Sequence, residues 1–283
     1  MSSPIKLSSP ATREFWEIEV LHEDDHLLAI DKPPGLAISP DRDDPGKPNL
    51  LTLLHEAIAV GKPWARERGL GYLINAHRMD PDLSGVLLMA KSKPVLVKLA
   101  NTFGSEKPIR QYTTLVRGQP AEERWESNLG ISPHPTKPQV YRLDSHHGKR
   151  ARTLFEVKER FTRWTLLRCD PLTNRPHQVR VHLSCAGFPI VGDPLYSGKP
   201  LFLSSFKTGY RLKPNHTERP LLSRLTVHAE SIVTEHPVTG EPLNIIAPWP
   251  KDLTVAVKYL RRYASTGVEG STGEEIESGD DPL

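Results

Sequence analysis

Apolar and polar residues alternate along this chain in short blocks, a pattern that predicts many strands and few helices. The segment from Glu17 to Ile30 predicts two short strands around a His-Glu-Asp-Asp turn. Pro33 and Pro34 exclude helix from the stretch that follows, so it is predicted to be a turn or an extended loop. Further apolar blocks of strand length lie at 71–76, 86–90, 112–116, 152–157, 164–169, 225–227 and 244–246.

Four segments carry helical spacing or helix-boundary residues. Asn49 can cap a helix over 50–60, and a second helix is predicted over 94–103 with Pro94 near its start. A third helix is predicted over 178–186, ended by Gly187, and a terminal helix over 252–263. Short, closely spaced strands with about four helices predict an α+β fold rather than regular βαβ alternation.

The two ends of the chain and one internal stretch give no such pattern. Residues 1–16 contain two Ser-Pro pairs and are predicted to form a flexible arm, and 118–138 is Pro-rich and predicted to be irregular. Residues 264–283 are rich in Gly, Ser and Thr and poor in apolar side chains, so they are predicted to be a disordered tail. The folded domain is expected to span 17–263.

Composition narrows the class of protein. Pro makes up 27 of 283 residues, about twice the usual share, which argues against a helical bundle or coiled coil. No apolar run approaches the roughly 20 residues that a membrane span needs, and the N-terminus has no apolar region typical of a secretory signal. The two cysteines make no disulfide framework, so we expect a cytoplasmic protein.

Charge is unevenly distributed between the tail and the rest of the chain. The tail carries six carboxylates and no Lys or Arg, and without them the formal charge rises from +3 to +9. A basic folded body suggests a polyanionic partner such as nucleic acid, although ordinary solvated surface charge explains the same excess.

One polar loop between two apolar blocks is a candidate for chemistry, namely the stretch from His77 to Gly85. Arg78 flanks Asp80, and a carboxylate beside a guanidinium stays ionised and can act as a nucleophile. On this pattern alone, a loop Asp that makes a plain turn hydrogen bond is the favoured explanation. The chain has no phosphate-binding glycine motif and no nucleophile elbow, and the spacing of His177 and His182 is not that of a zinc site.

Five ordered motifs resemble the pseudouridine synthases, in the branch that modifies ribosomal and transfer RNA and carries an HRLD motif. The segments that carry the resemblance are Leu21 to Asp25 with Asp31 to Gly35, His77 to Gly85, Arg110 to Tyr112, Arg175 to Leu183, and Gly187 to Tyr196. His228-Ala229 and His236-Pro237 also fit. The match covers roughly 17–262, nearly the whole expected domain.

The resemblance implies a fold and a reaction. The fold would be a mixed, mostly antiparallel sheet flanked by helices and loops, with a central catalytic cleft and no preceding S4-like RNA-binding domain. The enzyme would break the N1–C1′ bond of uridine, rotate the base and rejoin it through C5, without a cofactor or a metal. Asp80 would act at the ribose, by adding to C1′ or by removing a ribose proton.

The resemblance also implies roles for individual residues. Arg180 would pair with Asp80, with Arg175 as the other candidate, and Tyr112 would pack on the flipped base and could remove the C5 proton. The residues expected to contact substrate or RNA are His77, Arg78, Arg175, His177, Gln178, Lys32, Lys107 and Arg110. Asn174 and Pro176 depart from the usual motif, and Asn174 is expected to accept the left-handed turn conformation of the Gly it replaces.

The resemblance therefore implies an RNA pseudouridine synthase that acts on ribosomal or transfer RNA. We expect it to be a monomer. An inactive RNA-binding module of the same fold is the first alternative. A hydrolase that uses Asp80 with His77 or His177 is the second, and it lacks the usual supporting motifs.

Overall fold

The computed structural model describes residues 3–41, 44–212 and 214–266. In those ranges the strands are β1 Ile5–Ser9, β2 Glu14–Ile18, β3 Val20–Glu23, β4 Leu27–Lys32, β5 Ile74–Asn75, β6 Ser84–Ala90, β7 Ile109–Arg117, β8 Arg124–Ser127, β9 Ile131–Pro133, β10 Tyr141–Leu143, β11 Thr153–Phe161, β12 Trp164–Pro171, β13 Val227–Glu235 and β14 Pro242–Ile246. The α-helices are α1 Leu50–Ala59, α2 Pro63–Glu67, α3 Lys93–Gly104, α4 Gln178–Cys185 and α5 Lys251–Tyr263.

Ten of these strands form one large sheet. Its order is β3-β4-β6-β13-β7-β12-β11-β8, with β14 pairing with β13 and β5 pairing with β6. Every neighbouring pair is antiparallel except β6 and β13, which run parallel. Helices pack beside this mixed sheet, so the predicted α+β class is confirmed.

The parallel contact between β6 and β13 lies immediately after the polar loop singled out above. His228 pairs with Ser84 and Ala229 with Gly85, and the Ser84 hydroxyl lies 3.0 Å from His228 Nδ1. Gly85 has φ +107°, and a Cβ there would collide with the backbone of Ala229. Glycine is therefore required where the two strands approach most closely.

The helix predicted after Asn49 is confirmed with its cap. The Asn49 side chain accepts a hydrogen bond from Thr52 N at 3.0 Å, and Leu50, Leu53 and Leu54 of α1 are buried in the main core. Apolar positions at helical spacing thus face the sheet, as the sequence pattern predicted.

Three predictions about secondary structure are wrong. Residues 5–16 are not a loose arm, because β1 pairs with β2 and buries Ile5 and Leu7 in the main core. The stretch 118–138 contains β8 and β9, and the strand expected at 225–227 instead runs over Val227–Glu235. Most of the predicted acidic tail, 267–283, lies outside the described residues.

None of the described helices is long and apolar enough to cross a membrane.

Candidate active site

The loop that carries Asp80 is held by hydrogen bonds from the end of β4 and the turn that follows it. Gly35 N donates to Pro81 O at 3.0 Å, and Lys32 Nζ donates to the same oxygen at 2.9 Å. Within the loop, Leu83 N donates to Asp80 O at 3.2 Å. Asp80 is thus held between two anchored strands while its carboxylate keeps 18% of its side-chain surface exposed.

Lys32 is an internal support of this loop, and the prediction that it contacts RNA is wrong. Its side chain is fully buried, and its ammonium donates to three carbonyl oxygens, those of Pro33, Leu36 and Pro81. Burial lowers the pKa of Lys32 to about 7, against the opposing pull of the Asp82 and Asp80 carboxylates.

Gln178 fixes the turn that leads into α4, so its predicted contact with RNA is also wrong. Its side-chain oxygen accepts from the Thr173 hydroxyl and from Arg175 N, and its amide nitrogen donates to Arg152 O and the Thr153 hydroxyl. All four hydrogen-bonding positions of this buried amide are therefore used inside the protein.

His177 sits at the start of α4 in the left-handed conformation, with φ 54° and ψ 19°. Asn174, which was expected to take that conformation, does not have a positive φ. The unusual backbone at His177 turns its ring toward the cavity, where Nε2 lies 3.7 Å from Asp80 Oδ2. Burial and the charge of Arg180 lower the pKa of His177, while Asp80 raises it. The imidazole is therefore neutral at pH 7.

Arg180 approaches Asp80, as predicted, but its main partner is another carboxylate. Arg180 Nη1 is 3.9 Å from Asp80 Oδ2, whereas Nε and Nη2 donate to Asp193 at 2.8 and 2.7 Å. Both side chains of the Arg180–Asp193 pair are almost entirely buried. The bidentate pair fixes the guanidinium in place, so its charge faces Asp80 without further adjustment.

Tyr112 and Arg110 reach the same cavity from β7. Tyr112 is only 9% exposed, and burial raises the pKa of its phenol. Arg110 is also buried and donates to Pro171 O and Thr173 O, so it is not a surface contact for the RNA backbone. Arg110 Nε has no hydrogen-bond partner among the described residues.

His77 lies behind the loop rather than in the cavity, and its predicted contact with RNA is wrong. Its Nε2 accepts from Leu88 N at 3.2 Å, and its ring stacks on Phe103 with centroids 4.8 Å apart. Burial, followed by the charge of Arg110, lowers the pKa of His77 to about 4. It is a neutral core histidine that connects the loop to β6.

A cavity of about 50 Å³ lies beside Asp80. The charged and polar side chains that line it include Arg78, Asp80, Arg110, Tyr112, Arg175, His177 and Arg180. Arg78 and Lys107 are exposed. Arg175 is half-buried, with an ion pair to Glu106 at 3.5 Å. Sequence motifs separated by up to 100 residues thus converge on one carboxylate.

Two residues that sequence reasoning left without a role complete the site. Asp193 holds Arg180, and the Tyr196 hydroxyl lies 2.9 Å from His177 Nδ1. Both stand in the segment from Gly187 to Tyr196, which was quoted only for its resemblance. A buried arginine needs a paired carboxylate, and that requirement was the available signal.

Comparison with known proteins identifies the family that this chain resembles. A family described as RNA pseudouridylate synthase matches residues 26–185. The ribosomal large subunit pseudouridine synthase C of Salmonella typhi is 34% identical over 251 residues, which cover 87% of this chain and 70% of that protein. The enzyme of the same name from Escherichia coli K12 is 33% identical over 248 residues, with 86% and 70% covered.

Two solved human structures share the fold. Human RNA pseudouridylate synthase domain containing 4 superposes with a TM-score of 0.63 at 21% identity, covering 86% of this chain and 92% of its own. The domain containing 1 protein gives 0.60 at 20% identity, with 88% and 96% covered. This chain therefore shares the fold of these proteins.

Proposed function

This chain belongs to the RNA pseudouridylate synthase family. From that premise we propose that it isomerises uridines of large-subunit ribosomal RNA, with Asp80 as the catalytic residue. Isomerisation of RNA uridine to pseudouridine follows from the family and from relatives that match most of the chain. The ribosomal substrate and the residue roles are our proposal. Large-subunit ribosomal RNA is favoured over transfer RNA by the names of those relatives.

The observation that carries the assignment is the setting of the Asp80 carboxylate. Both Arg180 and His177 approach it at the same oxygen, Oδ2, at 3.9 and 3.7 Å. The low dielectric of a buried site strengthens the attraction between the guanidinium charge and a carboxylate. The other oxygen, Oδ1, is left to act at the ribose, by addition to C1′ or by removal of a ribose proton.

The reaction balances without any external electron donor or acceptor. The N1–C1′ bond breaks and its electron pair stays with the uracil. After the base turns, C5 bonds to C1′, C5 loses its proton and N1 gains one. We propose that Tyr112 packs against the turned base, and its raised pKa keeps the phenol protonated at neutral pH.

A uridine must leave its stack to reach this cavity, at a cost of a few kcal/mol. Arg78, Lys107 and Arg175 are the proposed contacts to the RNA near the cavity, because Arg78 and Lys107 are exposed and Arg175 is half-buried at its rim. Replacing Arg78 or Lys107 by Ala should weaken binding to all RNA sequences alike and reduce the salt dependence by about one unit of slope.

Tritium release from uridine C5 tests the assignment. Large-subunit ribosomal RNA and transfer RNA transcripts, each labelled with tritium at uridine C5, are incubated with wild type and with Asp80→Asn, a nearly isosteric variant. We expect release from the ribosomal transcript by wild type and none by the variant. Release from transfer RNA alone would refute the proposed substrate, and full activity of the variant would refute the role of Asp80.

We also propose that the enzyme works as a monomer in the cytoplasm, and that its catalytic domain, predicted over 17–263, includes the β1–β2 hairpin that packs in the main core. An RNA substrate and two cysteines without a disulfide, Cys169 and Cys185, support that location. Light scattering of the purified protein tests whether it is a monomer, and fractionation of cells tests its location. A dimer mass, or recovery outside the cytoplasm, would contradict them.

A further inference from the structure

Two hydrogen bonds and one longer polar contact connect the backbone of β10 to the reactive carboxylate through two aromatic side chains. Tyr141 N donates to the Tyr196 hydroxyl at 2.9 Å, and that hydroxyl lies 2.9 Å from His177 Nδ1. At the far side of the imidazole, Nε2 lies 3.7 Å from Asp80 Oδ2.

The direction of each hydrogen bond follows from the number of protons available. Burial raises the pKa of Tyr196 to about 12, so the hydroxyl keeps its single proton. This oxygen accepts from Tyr141 N, and the proton of a buried hydroxyl needs an acceptor of its own. Within the described ranges, His177 Nδ1 is the acceptor that the Tyr196 hydroxyl reaches. Nδ1 of His177 is therefore an acceptor.

The tautomer of His177 is fixed by that bond. A neutral imidazole carries one proton, and with Nδ1 accepting, the proton must be on Nε2. That N–H points toward Asp80. The packing of the ring holds this direction, since Tyr141 and Tyr196 meet the imidazole edge-on with centroids 5.2 and 5.7 Å away.

The two donors around Asp80 act on one oxygen. The nearest approaches of Arg180 and of His177 are both to Oδ2. Both groups attract Oδ2 across these distances, and rotation of the carboxylate about its Cβ–Cγ bond would weaken both contacts. Oδ1 then stays directed at the substrate.

We propose that His177 is a positioning residue, whose Nε2–H, selected by the Tyr141–Tyr196 relay, holds Oδ2 of Asp80 and presents Oδ1 to the ribose. This inference rests on the proposed function, since it assigns a role relative to Asp80. It assigns His177 to orientation of the reacting carboxylate rather than to RNA binding.

Two substitutions separate this role from a backbone role. The side-chain amide of Gln can occupy the place of Nε2, whereas the shorter amide of Asn reaches only the place of Nδ1. Backbone preference runs the other way, because Asn accepts the left-handed conformation of residue 177 better than Gln does. A donor role favours His177→Gln, and a purely structural role favours His177→Asn.

Single-turnover rates on the tritiated ribosomal transcript, together with RNA dissociation constants, give the readout. We expect His177→Asn to lower the rate roughly 10- to 100-fold, because the polar contact to the charged Oδ2 is lost, with RNA affinity unchanged. His177→Gln should restore the rate to within about threefold of wild type. Melting temperatures of both variants identify any that fail to fold.

The relay has its own spectroscopic test. Nitrogen-15 shifts of labelled histidine should show His177 protonated at Nε2 in wild type, and a mixture of tautomers in Tyr196→Phe, which keeps the ring but loses the hydroxyl. A wild-type rate in both His177 variants, a higher rate for Asn than for Gln, or a loss confined to RNA affinity would overturn the proposal. An inactive Asp80→Asn alongside any of these results would leave the proposed function standing.

Discussion

His77 carries most of its interactions inside the protein, and this makes it a pH-sensitive part of the fold. Its ring is 6% exposed and is stacked on Phe103, and its Nε2 accepts a backbone hydrogen bond that a protonated ring cannot accept. The pKa of His77 is lowered to about 4 in the folded state, against about 6.5 in an unfolded chain.

Stability should therefore fall as pH drops from 6.5 to 4. In that window the unfolded chain binds a proton at His77 and the folded chain does not, so the free energy of unfolding decreases with each step down in pH. The full loss from this residue is about 3 kcal/mol. Urea unfolding of wild type and His77→Gln at pH 7 and pH 4.5 measures it, and equal pH slopes in the two proteins would contradict it.

Asp193 is predicted to be the carboxylate on which the stability of the site depends most. Asp193→Ala leaves the Arg180 guanidinium buried without its bidentate partner, and an unpaired buried charge of this kind costs about 3–5 kcal/mol. The cost should appear as a lower urea midpoint. Asp193→Asn, which keeps one acceptor oxygen, is the matched control and should lose less. Equal midpoints for both variants and wild type would exclude this role.

The sequence predicted the groups that meet at the cavity better than it predicted what each one does. Asp80, Tyr112 and Arg180 converge as expected. Lys32 and Gln178 stand in equally distinctive motifs, yet their hydrogen bonds are used to hold loops. A motif preserves the type of a side chain, but whether that side chain faces solvent or a carbonyl oxygen is decided by tertiary contacts.

The strands around the site show a similar division. The apolar blocks that became β6, β7 and β12 were predicted because each is an apolar run of strand length, and the structure buries most of their residues. The β1–β2 hairpin was missed, since two Ser-Pro pairs and only two alternating apolar residues, Ile5 and Leu7, suggested a loose arm. Its stability comes from burial against α1 in the main core, and sequence periodicity carries no information on that contact.

The close approach of β6 and β13 should make Gly85→Ala strongly disruptive. The added methyl group would collide with the Ala229 backbone, and overpacking of this kind costs about 1–3 kcal/mol before backbone strain is added. Because Gly85 directly follows the Asp80 loop, we expect tritium release to be lost even where the variant remains folded.

Gly35→Ala is the matched control for that substitution. Gly35 also has a positive φ, +81°, but an added Cβ meets no atom within 4 Å. It therefore incurs backbone strain alone, about 1–2 kcal/mol, and should retain more activity. Equal losses of activity in the two variants would show that strain, rather than the collision with β13, matters.

The acidic C-terminal segment lowers the net charge of the whole molecule. The six carboxylates between 269 and 281 hold the net charge at +3, against +9 for the rest of the sequence. Deleting 267–283 should tighten non-specific RNA binding at low salt, and the difference should vanish at high salt because counterion screening removes it. Filter binding of a non-substrate RNA across a salt series measures it.

A full-length variant with all six carboxylates changed to the corresponding amides provides the control. It should bind as the truncated protein does, because charge rather than length is responsible. Unchanged affinity in both proteins would refute electrostatic screening by this segment.

The hydrogen bond between Ser84 and His228 joins residues 144 positions apart in the chain. Contacts of such long range form slowly in folding, and during synthesis they must wait until the distant strand has emerged. The loop that carries Asp80 is made early by the ribosome, but its β13 support is made only after most of the chain. The reactive carboxylate therefore reaches its working position late in biosynthesis, and nascent fragments that end before β13 are expected to be inactive.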